Sequence, residues 1–145
     1  MCGLAAADHA EYHPDAALAL IVAAACPVGE SGTDGSSLGG AMKIGVSRAS
    51  RTYGIYGVEQ IEERFNCSYE LNPAFEGALE AAGLSVVGRG EQGQVRIVEL
   101  SNHRFFVATL FQPQLSSAPG ASHPLILAFL RASRALPGAR RTSAA

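Results

Sequence analysis

The sequence carries little charge of either sign and places it unevenly. Only 17% of its 145 residues are charged while 48% are apolar, the reverse of the balance expected of a disordered chain. Bases are not in excess: eleven Lys and Arg stand against thirteen Asp and Glu. That excludes the basic face by which a domain usually grips nucleic acid. No base precedes Lys43 and no acid follows Glu99, which reads as solvated surface at both ends.

Long hydrophobic runs are also missing. The longest, residues 16–26 (AALALIVAAAC), falls well short of the ~20 residues needed to cross a bilayer. No base lies ahead of it, as a signal peptide requires, so a cytoplasmic protein is expected. Cysteine is scarce: Cys2, Cys26 and Cys67 form no Cys-x-x-Cys pair, which excludes a zinc knuckle or a disulfide framework. His9 and His13 have the spacing of a helical metal pair, but Pro14 disfavours a helix there. No metal or cofactor is therefore expected. No internal repeat is visible.

What is present reads as one domain of alternating helices and strands, an α/β chain. Residues 16–25 are a buried strand or a short helix, which periodicity cannot separate. Residues 27–40 (PVGESGTDGSSLGG) read as a flexible loop and residues 137–145 as a disordered tail. Residues 41–46 read as a strand. Val58, Ile61 and Phe65 have helical spacing and predict a helix over 58–65. Asn72 as N-cap, Pro73 in the first turn and Gly83 beyond the end frame a helix over 74–82. Strands are expected over 84–87, 95–100 and 105–111, the first two joined by a hairpin turning at Gly93. The third is apolar on both faces, hence expected to be central. A last helix over 124–136 should bury Leu125, Phe129, Ala132 and Leu136.

Several segments stand together in one order: Asp8-His9-Ala10-Glu11-Tyr12, Gly39-Gly40-Ala41-Met42-Lys43-Ile44-Gly45, Glu63-Arg64 with Tyr69-Glu70-Leu71-Asn72, Glu80-Ala81-Ala82-Gly83-Leu84, Val98-Glu99-Leu100-Ser101-Asn102-His103, Phe105-Phe106-Val107-Ala108, Phe111-Gln112-Pro113-Gln114 and His123-Pro124-Leu125. In this order they resemble the C-terminal, glutamine-hydrolysing domain of the CTP synthase family, and more closely the short proteins related to that region alone. The resemblance implies a class I glutamine amidotransferase-like domain, a flavodoxin-like three-layer α/β fold incomplete at its N-terminal side. The activity it implies is glutamine hydrolysis in pyrimidine nucleotide biosynthesis, with glutamine as the bound molecule. For an incomplete domain it also implies association, with another copy or with the missing N-terminal half, because strand edges and apolar area would be left uncovered.

That family works through a Cys–His–Glu triad, in which a thiolate attacks the amide carbon, the His moves the proton and the Glu orients the His. Its Gly-x-Cys-x-Gly elbow has no counterpart in these residues. Its His-Pro-Glu motif reads Gln112-Pro113-Gln114 here, and an amide cannot serve as general base. Its arginine anchor for the glutamine carboxylate is matched by Ser68, beside Tyr69, which removes a bidentate contact. Glu11 matches the family residue near the substrate ammonium. The resemblance thus implies a degenerate triad, with Glu11, Ser68 and Tyr69 as the remaining substrate contacts. Cys67 is either a reactive thiol, with Arg64 close in sequence to lower its pKa, or a small buried hydrophobe. A competing motif is Met1-Cys2-Gly3-Leu4, the start of class II amidotransferases, whose freed Cys α-amine acts as base.

Overall fold

A computed structural model describes residues 5–24, 39–66 and 68–134. In chain order the strands are β1 (Asp8–His9), β2 (Ala19–Ala23), β3 (Gly39–Val46), β4 (Gln60–Asn66), β5 (Tyr69–Leu71), β6 (Leu84–Gly90), β7 (Val95–Leu100) and β8 (Val107–Thr109). The helices are α1 (Arg51–Tyr56), α2 (Glu76–Ala81), entered through a 3-10 turn at Pro73–Phe75, and α3 (Pro124–Arg134). The framework is a five-stranded sheet, antiparallel throughout, in the order β4-β3-β6-β7-β8. A smaller sheet holds the other three strands, with β1 parallel to β2 and β5 antiparallel to it. The mixed α/β class expected from the sequence is what the chain adopts.

Two apolar cores cover the two faces of the large sheet. One joins Met42, Ile44, Val46, Ile61, Phe65, Val87 and Ile97 to Phe111 and Leu125, with Tyr53, Ile55 and Tyr56 of α1 packed against it. The other joins Leu84, Val95 and Leu100 to Leu71 of β5 and Leu79 of α2, with Leu20 and Ile21 of β2 alongside. The layers are therefore α1 and α3, the large sheet, then α2 with the small sheet.

Residues 58–65 are not a helix: β4 occupies Gln60–Asn66 and pairs with β3 from Gly39↔Asn66 to Gly45↔Gln60. Its buried residues are Ile61, Glu63 and Phe65, a period of two. That period is concealed in the sequence because its middle member is a carboxylate, which hydrophobicity alone assigns to the surface. β8 is not central either. It lies at the end of the sheet, and its apolar character follows from cores on both faces of the sheet. The loop expected over 27–40 gives way at Gly39, where β3 begins; residues 25–38 and 135–145 lie outside the described part.

In α3 only Leu125 of the expected stripe is fully buried; Phe129 is 55% exposed. The helix meets the core at its first turn, and the Phe129 ring rests instead against the edge of Phe105, with centroids 5.8 Å apart. Leu136 lies outside the described residues. Gly88 marks the tightest backbone approach: a Cβ there would sit 2.5 Å from Ile97 Cγ1 on the neighbouring strand. The β6–β7 hairpin turns at Gly93 with φ +86°, as expected.

Candidate functional site

The end of β4 and the start of β5 gather most of the residues singled out from the sequence. Gln112 follows β8 and lies against the last residues of β4. Its side-chain oxygen accepts the Asn66 N–H at 2.7 Å, and its own N–H donates to the Arg64 carbonyl at 3.1 Å. The amide at this position is therefore engaged with backbone, and its remaining polar atom is a donor. Gln114 is exposed in the 3-10 turn Pro113–Ser116, where its carbonyl accepts the Ser117 N–H at 3.3 Å.

Past Asn66 the chain runs through Cys67 to Ser68 and Tyr69. The Ser68 carbonyl accepts the Ala24 N–H at 2.9 Å, which joins this segment to the end of β2. Tyr69 stacks obliquely on His9 with ring centroids 4.9 Å apart, and Tyr12 meets the same imidazole at 5.4 Å. The His9 Nδ1 accepts the Glu11 N–H at 3.1 Å, which leaves the proton of the neutral ring on Nε2. The Glu11 carboxylate lies 4.0 Å from that Nδ1 and is half exposed. His9 thus links Glu11 to Tyr69, a link that the sequence alone does not reveal.

Behind it, Asp8 pairs with His13 Nδ1 at 2.9 Å and accepts the His9 N–H at 2.8 Å. The backbone hydrogen bond first, then His13, hold the Asp8 carboxyl below its usual range. No group of three or more His, Cys, Asp or Glu suited to a metal occurs among the described residues. Cys67, Cys2 and Cys26 lie outside them, and so does the Met1-Cys2 motif.

A second polar cluster lies in the core. Glu63 and His123 are each 3% exposed, with His123 Nε2 and Glu63 Oε1 2.8 Å apart. The His123 Nδ1 accepts the Leu125 N–H at 3.2 Å, so Nε2 carries the proton and donates it to the carboxylate. The Tyr56 hydroxyl donates to the same Oε1 at 2.5 Å, and Ser116 Oγ reaches Oε2 at 3.4 Å. Burial, then the hydrogen bond to Glu63 and its charge, push the Tyr56 phenol well above its usual range. Glu63 and His123 belong to segments that carry the family resemblance, but nothing in the sequence joins residues sixty positions apart.

Comparison with known proteins fixes the relationship. The chain is 39% identical over 102 residues to CTP synthase of Saccharolobus solfataricus, a match covering 67% of this chain and 19% of that protein. The CTPS glutaminase domain of Trypanosoma brucei, solved with bound acivicin, superposes with a TM-score of 0.80, at 24% identity, over 92% of this chain and 53% of that one. The chain is a relative of CTP synthase. A Thermoplasma acidophilum protein described as part of a GMP synthase shares the fold more distantly, with a TM-score of 0.55 and 15% identity over 79% of this chain and 48% of that one. No family model matches the sequence. This CTP synthase relative spans about a fifth of the curated synthase and about half of the solved glutaminase domain.

Proposed function

We propose that this CTP synthase relative is a glutamine amidotransferase-like domain without a working Cys–His–Glu triad, tied by descent to the glutamine-hydrolysing step of pyrimidine nucleotide biosynthesis. The observation that carries this reading is the engagement of Gln112. At the position where the family keeps its imidazole, an amide oxygen accepts the Asn66 N–H and no group there exchanges a proton near neutral pH. Gln114, in place of the orienting carboxylate, adds to the same argument. Glutamine remains the molecule to which the site is related, through Glu11, Ser68 and Tyr69. Without the family's arginine at position 68, its carboxylate lacks the bidentate partner. A cytoplasmic location belongs with this reading; no helix among the described residues is long and apolar enough to cross a membrane.

The test is ammonia release from glutamine by the purified chain, with NMR titration of free glutamine alongside. The expected result is release at the rate of the buffer blank. Release above the blank that disappears in Gln112→Ala overturns the reading.

A second reading, a non-catalytic module that associates with another polypeptide, is favoured by α3, which leaves Leu127, Phe129 and Leu130 exposed. Sedimentation of the chain at micromolar concentration tests it, and a monomer that gains no mass at higher concentration counts against self-association.

A further inference from the structure

Between α1 and α3, on the side of the large sheet away from the small one, opens a cleft of 370 Å³. Ile55, Phe105, Leu127 and Ala128 give it an apolar lining; its two charged residues are Arg51 and Arg131, and no acid lines it. Elsewhere Arg48 pairs with Glu59, Arg89 with Glu76 and Arg96 with Glu70. Neither arginine of the cleft forms an ion pair with any described residue.

Arg51 is also held in place. Its Nη2 donates to the His103 carbonyl at 2.8 Å and its guanidinium lies over the Phe105 ring, 5.6 Å from the centroid. Its Nη1 is shielded from solvent and has no hydrogen-bond partner among the described residues. A desolvated guanidinium N–H with no acceptor is costly, and an anionic oxygen is the acceptor that satisfies it best. Because one guanidinium is already fixed, little side-chain entropy is lost when a ligand meets it.

We propose that this cleft binds a small organic anion, a carboxylate or phosphate borne on an aromatic body. Arg51 and Arg131 take the anionic group, and Phe105, Ile55 and Leu127 take the ring. The site is separate from the one containing Gln112 and stands whether or not glutamine is hydrolysed.

The test titrates the full chain with phenyl phosphate, benzoate, inorganic phosphate and benzyl alcohol, followed by NMR and calorimetry. Phenyl phosphate or benzoate is expected to saturate and to bind at least about tenfold more tightly than either benzyl alcohol or inorganic phosphate. The stronger of the two aromatic anions identifies the head group. Arg131→Gln changes an exposed side chain and should weaken binding at least about fivefold with the thermal midpoint unchanged. Arg51→Gln should do the same, and if that variant fails to fold, the Arg131 variant still decides. Benzyl alcohol or inorganic phosphate binding as tightly as the aromatic anions, an unchanged affinity in Arg131→Gln, or no saturation by about 10 mM anion would each overturn the proposal.

Discussion

Replacing Glu63 by alanine and by glutamine separates two accounts of the buried polar cluster. Glu63 Oε1 accepts both the Tyr56 hydroxyl and the His123 Nε2–H, while Oε2 is approached by Ser116 Oγ. Alanine removes every one of these acceptors and leaves a cavity. Two donors stranded at about 1–3 kcal/mol each give a loss of roughly 2–6 kcal/mol, a large share of the stability of an ordinary domain. Glutamine can keep its carbonyl where Oε1 stands and turn its amide toward Ser116, whose hydroxyl can accept. Only the charge assistance is lost, about 1 kcal/mol. His123 cannot compensate by shifting its proton to Nδ1, because the Leu125 N–H is donated to that atom. Urea denaturation should therefore rank wild type first, Glu63→Gln slightly below, and Glu63→Ala far below, with a midpoint drop on the order of 10 °C on heating. Equal losses for the two variants, or an alanine variant within about 0.5 kcal/mol of wild type, would refute the assignment of Glu63 as the shared acceptor.

Other perturbations have defined outcomes. The raised Tyr56 phenol contributes stability that is fully present below its unfolded pKa near 10. That stability is lost as pH rises above 10, because the unfolded chain releases the proton first. The ring is only partly buried, so solvent keeps the slope below the limiting ~1.4 kcal/mol per pH unit, and urea midpoints measured from pH 9 to 11 should flatten in Tyr56→Phe. Gly88→Ala places a Cβ 2.5 Å from Ile97 Cγ1 and should cost about 1–3 kcal/mol by chemical denaturation. Gln112→Ala removes the acceptor for the Asn66 N–H and should lower stability by about 0.5–1.5 kcal/mol, visible as faster amide exchange at Asn66.

Local signals carry through to the structure where the determinant is local. Asn72 caps the turn that opens at Pro73, its Oδ1 accepting the Ala74 N–H at 3.1 Å, and Gly83 takes φ +89°. Gly93 closes the hairpin for the same kind of reason. What escapes a sequence reading is set by partners distant in the chain. β4 is hidden because Glu63 is a core residue only by virtue of Tyr56 and His123. α1 leaves only a faint trace, a Ser50 cap that accepts the Tyr53 N–H and a Gly57 stop with φ +73°, because six residues are too few for a helical period to stand out. β8 reads as interior to the sheet because apolar faces reveal that a sheet is covered, not where in it a strand stands. Of the candidate site, the identities of Gln112, Gln114 and Ser68 are read directly from the sequence. The placement of Gln112 against Asn66, and of His9 between Glu11 and Tyr69, depends on chain crossings that no local pattern encodes.

The way α1 is anchored has a consequence for how the chain acquires order. A helix of six residues is too short to hold together in water on its own. Its first N–H groups, at Arg51 and Thr52, are received by the Glu99 carboxylate at 3.1 and 2.6 Å, and the Thr52 hydroxyl joins them at 2.6 Å. That carboxylate projects from β7, nearly fifty residues downstream. During synthesis the ribosome therefore releases residues 51–56 before the group that stabilises them exists, and they should stay unstructured until β7 emerges and docks.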